Sequence, residues 1–277
     1  MVWALWTDSH WLYLALHPVI VLLFSIRIIW IRRPPGVALA WILIVSMLPF
    51  VGLLAYFMVG ERPIGRDRAQ RIKKATPLYA RMTQLLDLRY PLSACGIAEQ
   101  FRPMALLAEA RGGMPPVPGN RIALYPDAQS ILHALIEDID RAQRHCDLEF
   151  YIWSAGGTAD LVGDALMRAA KRGVLCRVLL DEVGSGPFWK STWPARLRDA
   201  GVHLAKACAI QPLKLQFGRA DIRLHRKIAA FDRAIAWTGS LNLVDPAYFK
   251  QDAGVGEWVD AMARVEGAAA EALATVF

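Results

Sequence analysis

The chain has 277 residues, of which 55% are hydrophobic, with a mean hydropathy of +0.28, a net charge of +7 and a pI near 9.4. That hydropathy is high for a soluble protein, and much of the apolar excess falls before residue 60. The basic charge shows no aromatic-interleaved stripe and no nucleic-acid fold motif, so no nucleic acid partner is expected. Cys95, Cys146, Cys176 and Cys208 form no C-x-x-C pair and have no His at metal-ligand spacing, which argues against zinc and for reduced structural thiols.

Two apolar stretches come first, at 11–31 and 37–59, each of about 20 residues and long enough to cross a hydrocarbon core. Arg27 is the one charge within them and can snorkel to the interface. A cleaved signal peptide is the alternative for the first stretch. It lacks a basic n-region, and a second apolar stretch follows at once, which favours a retained transmembrane hairpin over residues 1–60. The turn Arg32-Arg33-Pro34-Pro35-Gly36 is short and rigid, so the helices should run antiparallel. Basic residues flank both ends, with Arg27, Arg32 and Arg33 at the turn and Arg62, Arg66, Arg68, Arg71, Lys73 and Lys74 after the second stretch. The larger cluster belongs on the cytoplasmic side, which places the rest of the chain there. Anionic lipid beside that cluster accounts for the positive charge.

Residues 61–120 read as a basic juxtamembrane segment and linker, with possible helices at 78–88 and 97–110 and a Gly/Pro-rich loop at 112–119. From 121 onward the pattern becomes α/β. Strands are expected at 122–125, 148–153, 174–180 and 202–205, and helices at 130–144, 159–171 and 193–200, with Ile131, Leu132, Leu135, Ile136 and Ile139 on one face of the first. Strands alternating with helices at this spacing predict a mixed, largely parallel sheet with helices on its faces.

The most informative stretch lies near the end. His225-Arg226-Lys227 is followed by Asp232 and by Gly239-Ser240-Leu241-Asn242. Read as a strand over 224–231, alternation puts His225 and Lys227 on one face and Arg226 on the other. A turn at Asp232-Arg233 leads to a partner strand at 234–238, and Ser240 and Asn242 follow two residues apart. Imidazole is a competent nucleophile near neutral pH, and a Lys charge with Ser and Asn donors can hold anionic oxygens, so the group suits attack on a phosphodiester. Taken singly, each residue also fits an ordinary role: a satisfied core His, a snorkelling Lys, common turn chemistry. Glu149 within a strand and Asp181-Glu182 at a strand end could line a pocket, a solvated strand terminus being an equal reading of the latter pair, and Arg223 and Arg226 flank the motif; Gly184-Ser185-Gly186 is too short for a phosphate loop.

The joint pattern H-x-K-x4-D-x6-G-S-x-N resembles the signature of the phospholipase D superfamily. The stretches at 148–153, 172–174, 193–194 and 245–254 also look like bacterial cardiolipin synthase, so the resemblance covers essentially the whole chain, with residues 121–277 as a phospholipase D-like lobe. The resemblance implies that His225 attacks the phosphorus of phosphatidylglycerol, and that a second phosphatidylglycerol takes the phosphatidyl group from the histidine with release of glycerol. It implies catalytic roles for His225, Lys227 and Asp232, phosphate binding by Lys227, Ser240 and Asn242, no cofactor or metal, and a place in the bacterial inner membrane. Asp232 lies five residues beyond Lys227, and placing the hairpin suits it at least as well as catalysis.

In that family two such motifs, one from each half, build one site, with the second His as general acid and base. Here one motif is present, and His10, His17, His133, His145 and His203 offer no partner. The Ala-rich pattern from 267 stops without a capping Gly or polar tail, as the N-terminal half of a longer synthase would. A homodimer completing the site across a two-fold axis is the other possibility. Three functions stay open: a transphosphatidylase making cardiolipin, a phosphodiesterase passing the group to water, or an inactive membrane-anchored remnant.

Overall fold

The structure, a computed structural model, describes residues 2–60, 66–91, 95–208, 223–250, 253–254 and 256–277. Arg62 of the basic cluster lies outside the described residues, as do the side chains of His10, Arg66, Arg68 and Arg71. The chain separates into a helical unit through Ala69 and a second unit from Gln70.

In the first unit, α1 (Val2–Trp30) turns at Arg32, in left-handed backbone with φ 52°, into α2 (Pro35–Met47). Pro at the first position of α2 costs no intrahelical hydrogen bond, since that N–H would have no partner in any case. The expected second span does not run unbroken to residue 59. Leu48 leaves the helical region (φ −133°, ψ 70°) because Pro49 crowds the residue before it, and α3 (Pro49–Ala55) restarts and ends in a π-helical turn, Tyr56–Gly60. No helix among the described residues is long and apolar enough to cross a membrane. Tyr56 is fully buried, its ring edge-on to Phe24 and Trp41 at 5.8 and 5.3 Å, and Arg33 lies 5.9 Å over it. His17 Nε2 meets the Ser46 carbonyl at 3.0 Å.

The second unit takes in α4 (Arg66–Arg89) from Gln70 onward, a helix longer than the expected 78–88 and accommodating Pro77, and then a 3-10 turn at Glu99–Phe101 and α5 (Arg102–Gly112). Gly113 ends α5 in left-handed backbone. Strands and helices then alternate: β1 (Arg121–Tyr125), α6 (Ala128–Arg141), β2 (His145–Phe150), α7 (Thr158–Lys171), β3 (Leu175–Asp181), α8 (Gly186–Lys190), α9 (Trp193–Asp199), β4 (His203–Ala207). The hairpin β5 (Ile228–Phe231) and β6 (Ile235–Gly239) follows, then β7 (Met262–Glu266) and α10 (Ala268–Val276).

These seven strands form one sheet in the order β1-β7-β6-β5-β2-β3-β4. Only β2-β3 and β3-β4 are parallel, so the expectation of a largely parallel sheet is corrected: the sheet is mixed and mostly antiparallel. The physical reason is connection length. Helical crossovers join β2, β3 and β4, whereas β5 and β6 are joined by a tight turn that permits only an antiparallel pair.

Ile131, Leu132, Leu135 and Ile139 of α6 are fully buried and pack with Val162 and Leu166 of α7 on Leu148, Phe150, Val178 and Leu180 of the sheet. Each such side chain contributes roughly 1.5–3 kcal/mol. Asp127 caps α6 by accepting from Ser130 N at 2.8 Å. Within this core, buried Asp138 accepts from Trp237 Nε1 at 2.8 Å and from Arg264 Nε and Nη2 at 2.7 and 2.9 Å, tying α6 to β6 and β7. Positions of opposite parity, Ala230 and Ala236, are covered by Ala270 and Ala274 of α10. Cys146 and Cys176, distant in sequence, are register partners in the buried face of β2 and β3.

Candidate active site

The carboxyl ends of β2 and β3 meet the start of β5 at one edge of the sheet, where open α/β sheets gather their ligands. Here the structure brings His225 and Lys227 together. The strand expected at 224–231 begins only at Ile228, and residues 223–227 precede it as irregular chain. A buried carboxylate shapes that segment. Asp181, at the end of β3 and fully buried, accepts from Leu224 N at 3.0 Å and from Arg223 Nε and Nη2 at 3.1 and 2.5 Å. It also accepts from Val183 N and Gly184 N at 3.0 and 2.9 Å. Burial pushes the Asp181 carboxyl up, but Arg223 and the backbone donors outweigh it and hold the group below the usual carboxylate range.

Two residues beyond Leu224, Arg226 turns to the other side, as alternation predicted, and binds Glu149 of β2 through Nε and Nη2 at 2.7 and 2.6 Å. Glu149 is fully buried and its Oε2 has no hydrogen-bond partner among the described residues; burial raises its carboxyl above the ordinary value against the pull of Arg226. Arg223 and Arg226 are therefore engaged with buried carboxylates that also hold the motif from beneath and behind.

His225 is exposed, its ring tilted against Tyr151 at 4.9 Å between centroids. Lys227 is 6% exposed; its ammonium donates to the His225 carbonyl at 2.9 Å, sits 3.4 Å from His225 Nδ1, and lies 5.6 Å over the Tyr151 ring. Burial lowers the Lys227 pKa, and the charge of Asp260 partly restores it. Asn242 is buried at the same edge, where its Oδ1 accepts from Ile152 N at 3.0 Å, leaving the amide nitrogen as its donor. Tyr151 is held in turn by Ser185, which donates to the Tyr151 carbonyl at 3.1 Å and accepts from Trp153 N at 3.0 Å.

Ser240 reaches the edge but its hydroxyl is already engaged, donating to the Ala261 carbonyl at 3.3 Å and accepting from Ala261 N at 3.1 Å. Gly239 permits this approach, since a Cβ there would collide with the Ala261 carbonyl and Met262 Cα. The pairing sets the neighbouring Asp260, whose Oδ2 is buried without a hydrogen-bond partner among the described residues and whose charge acts on Lys227. Sequence reasoning missed Asp260. The available signal was an acidic residue just before the strand that follows Gly-Ser-x-Asn. A cleft of about 220 Å³ opens beside it, with Gln129, Asp245, Glu257 and Trp258 in its lining. Asp245 holds that lining together by accepting from Thr158 N, Gln129 Nε2 and Ala247 N at 2.8, 3.1 and 3.1 Å.

Asp232 is not brought to this group. It lies at the far end of β5, in left-handed backbone with φ 50°, and accepts from Gln143 N, Arg144 N and His145 N at 2.9, 2.7 and 2.8 Å. Burial raises its carboxyl, but these three donors and the nearby His145 hold it below the ordinary value. The strand between places Asp232 roughly 16 Å along the chain from Lys227, at about 3.3 Å per residue.

A family model described as "Cardiolipin synthase, PLD-like domain" matches residues 135–256, and one described as "Phospholipase_D-nuclease N-terminal" matches residues 19–61. Among curated proteins, cardiolipin synthase A of Edwardsiella ictaluri is 43% identical over 264 residues, covering 95% of this chain and 54% of that protein. Cardiolipin synthase A of Escherichia coli O1:K1 is 39% identical over 272 residues, covering 98% and 56%. The chain thus spans about half the length of the curated relatives it matches. Among solved structures, NucT from Helicobacter pylori overlays with a TM-score of 0.44 at 15% identity, over 57% of this chain and 91% of that one.

Proposed function

Given that the chain belongs to the phospholipase D-like cardiolipin synthases, we propose that it is a phospholipid transphosphatidylase half-site that moves a phosphatidyl group between phosphatidylglycerol molecules through His225. The observation that carries this reading is the pairing of His225 with the desolvated Lys227, 3.4 Å between Nδ1 and Nζ, at the carboxyl edge of β2 and β3.

Lys227 sits at Nδ1, so Nε2 is the nitrogen that faces phosphorus; once the Lys227 N–H groups turn from Nδ1 to the phosphate, Nδ1 carries the ring proton and the Nε2 lone pair is free to attack. An arriving phosphate draws the Lys227 N–H groups to its oxygens, and the Asn242 amide donates to the same anion. The Nε2–P bond forms as the bond from phosphorus to the glycerol oxygen breaks, and the leaving glycerol oxygen takes its proton from the imidazolium of His225 in a second copy of the chain, which completes the site as general acid. The primary hydroxyl of a second phosphatidylglycerol then gives up its proton to that same, now neutral, imidazole and attacks phosphorus, breaking the N–P bond and returning both histidines to their starting state. The cleft beside Asp260 takes the glycerol end of the headgroup, where carboxylates can accept from its hydroxyls. Ser240, Asp181 and Asp232 are positioning residues in this reading: Ser240 for Asp260, Asp181 for the approach to His225, Asp232 for the base of the hairpin.

The proposal includes anchoring in the bacterial inner membrane by the residues before 60, with the catalytic part on the cytoplasmic side. Large apolar side chains stand exposed all along α1 to α3, among them Leu22, Ile29, Leu39, Leu43, Val51 and Leu54 at 60–66%. Water is a poor solvent for a surface of that kind, and lipid suits it.

The test is lipid mass spectrometry of membranes that lack other cardiolipin synthases, after expressing the chain or its His225→Ala variant at equal level. Cardiolipin from the wild type alone is expected if two chains complete one site. Phosphatidic acid in its place would assign a hydrolase. No change from either chain would overturn the transferase reading and leave an anchored remnant.

A further inference from the structure

The mechanism above leaves α4 without a task, although α4 carries a surface that a water-facing helix would not keep. Leu78, Leu85 and Leu88 are 73%, 54% and 81% exposed. Leu78 and Leu85 are seven residues apart and so share one stripe two turns long. Lys74 and Arg81, also seven apart and exposed, run beside them. A flank of α4 about a quarter turn from that stripe is fixed to its own unit: Leu86 is buried and Tyr79 Oη donates to the Gly112 carbonyl at 3.1 Å. The stripe ends at Arg89, four residues beyond Leu85, which pairs with Glu271 of α10 at 3.6 Å. On α5, Met104 and Leu107 add further exposed apolar surface, at 65% and 59%.

We infer that this outward stripe of α4 is an interfacial docking surface for an anionic phospholipid bilayer, with its leucines among the upper acyl carbons and Lys74 and Arg81 at the headgroup phosphates. Two observations select lipid over a protein partner. The leucines alternate with long basic side chains whose stems can lie along apolar surface while their charges reach out, the arrangement that suits a membrane interface. The helix sequence also holds seven Lys and Arg against two Asp, complementary to an anionic surface and adverse to self-association. The stripe would hold the second unit at the depth where its lipid substrate resides. It shares with the proposed function only the presence of a bilayer and requires no catalysis.

The test uses the full chain with Cys95→Ser and Cys208→Ser, since Cys146 and Cys176 are fully buried. A single cysteine replaces Leu78, Leu85 or, on the far side of the helix, Ala80, and carries a bimane fluorophore. The protein is reconstituted in phosphatidylglycerol/phosphatidylcholine vesicles with brominated acyl chains and checked by flotation. Labels at 78 and 85 should be quenched by the brominated lipid and the label at 80 by aqueous iodide. Lys74→Glu with Arg81→Glu should weaken the lipid quenching by about fivefold for each charge lost. A floated chain whose labels at 78 and 85 respond to iodide overturns the inference while leaving the membrane anchor intact. So does protection from both quenchers, which would mean protein contact. A chain that does not float overturns both readings.

Discussion

The two ends of the β5-β6 hairpin treat their polar groups in opposite ways. At the turn, both oxygens of Asp232 are engaged by three backbone N–H groups, and its carboxyl is held below its ordinary value. At the other end, among the described residues, Lys227 is buried beside an imidazole without a carboxylate within ion-pair distance, and Asp260 and Glu149 each keep one buried oxygen without a hydrogen bond. A group with its partners in place stabilises the fold, whereas a desolvated group without them costs stability and stands ready for a ligand. The difference teaches that the motif contains two kinds of residue, one whose polar groups are satisfied and build the frame, and one whose desolvated groups keep unused hydrogen-bonding capacity.

The largest effect should come from breaking the satisfied end. Asp232→Ala leaves three donors without an acceptor, two of them near solvent, and should destabilise the second unit by about 3 kcal/mol. The thermal midpoint of the detergent-solubilised chain would fall by roughly 6–12 °C, at about 2–4 °C per kcal/mol for a domain of this size. The pH dependence has a definite sign. Because the folded value lies below 3.8, the contribution of Asp232 is fully present above that pH and is lost as pH falls through the folded value. The gap between wild type and Asp232→Ala should therefore narrow in strong acid, and a gap that stays constant would show that the carboxylate charge is not what holds the turn.

Much of this hairpin was legible in the chain. Period-two alternation placed the β5-β6 turn at Asp232-Arg233 and sent Arg226 away from His225, because both follow from local backbone geometry. Asp260 was not legible, since its position depends on Ser240 binding Ala261 across two strands, a contact with no local sequence mark. Strand direction failed for a related reason. Helix-strand alternation over 122–205 was extended to the sheet as a whole, although the helical crossovers stop at β4 and the hairpin β5-β6, with β7 and β1 beyond it, pairs antiparallel. In the first unit the signal was present but outvoted: Pro49 marks the break at Leu48, while the hydropathy of 37–59 suggested one continuous span. Glu149 could be placed within a strand and Asp181 at a strand end by pattern, yet their arginine partners could not, because those ion pairs span 77 and 42 residues.

An intermediate effect, of opposite sign, is expected at the site end. Burial depresses the Lys227 pKa below 10.5, so the charged form costs stability at neutral pH and that cost is relieved as pH rises through the folded value. Lys227→Met keeps the apolar stem, removes the desolvated ammonium, and should raise stability by about 1 kcal/mol while abolishing phosphate binding. Its stability should also lack the wild-type rise toward alkaline pH. Thermal melts at pH 7 and pH 9.5 check both statements, and a variant less stable than wild type at both would show that the Nζ contact to the His225 carbonyl outweighs the burial.

The smallest effect should come from Glu149, which tests whether burial alone decides a group's contribution. Its folded value lies above 4.5, so any stability it supplies belongs to the protonated form and is lost as pH rises through that value. At neutral pH the ionised carboxylate gains from Arg226 but keeps Oε2 unsatisfied. Removing one partner of a buried pair is severe when the other is left buried; here Arg226 has a side chain 54% exposed and can turn to water. Glu149→Gln should therefore change stability by less than about 1 kcal/mol near pH 7. The variant should instead release Arg226 and loosen residues 223–227, seen as faster hydrogen exchange there with β2 unchanged. Strong destabilisation without that local loosening would place Glu149 with Asp232, as part of the frame.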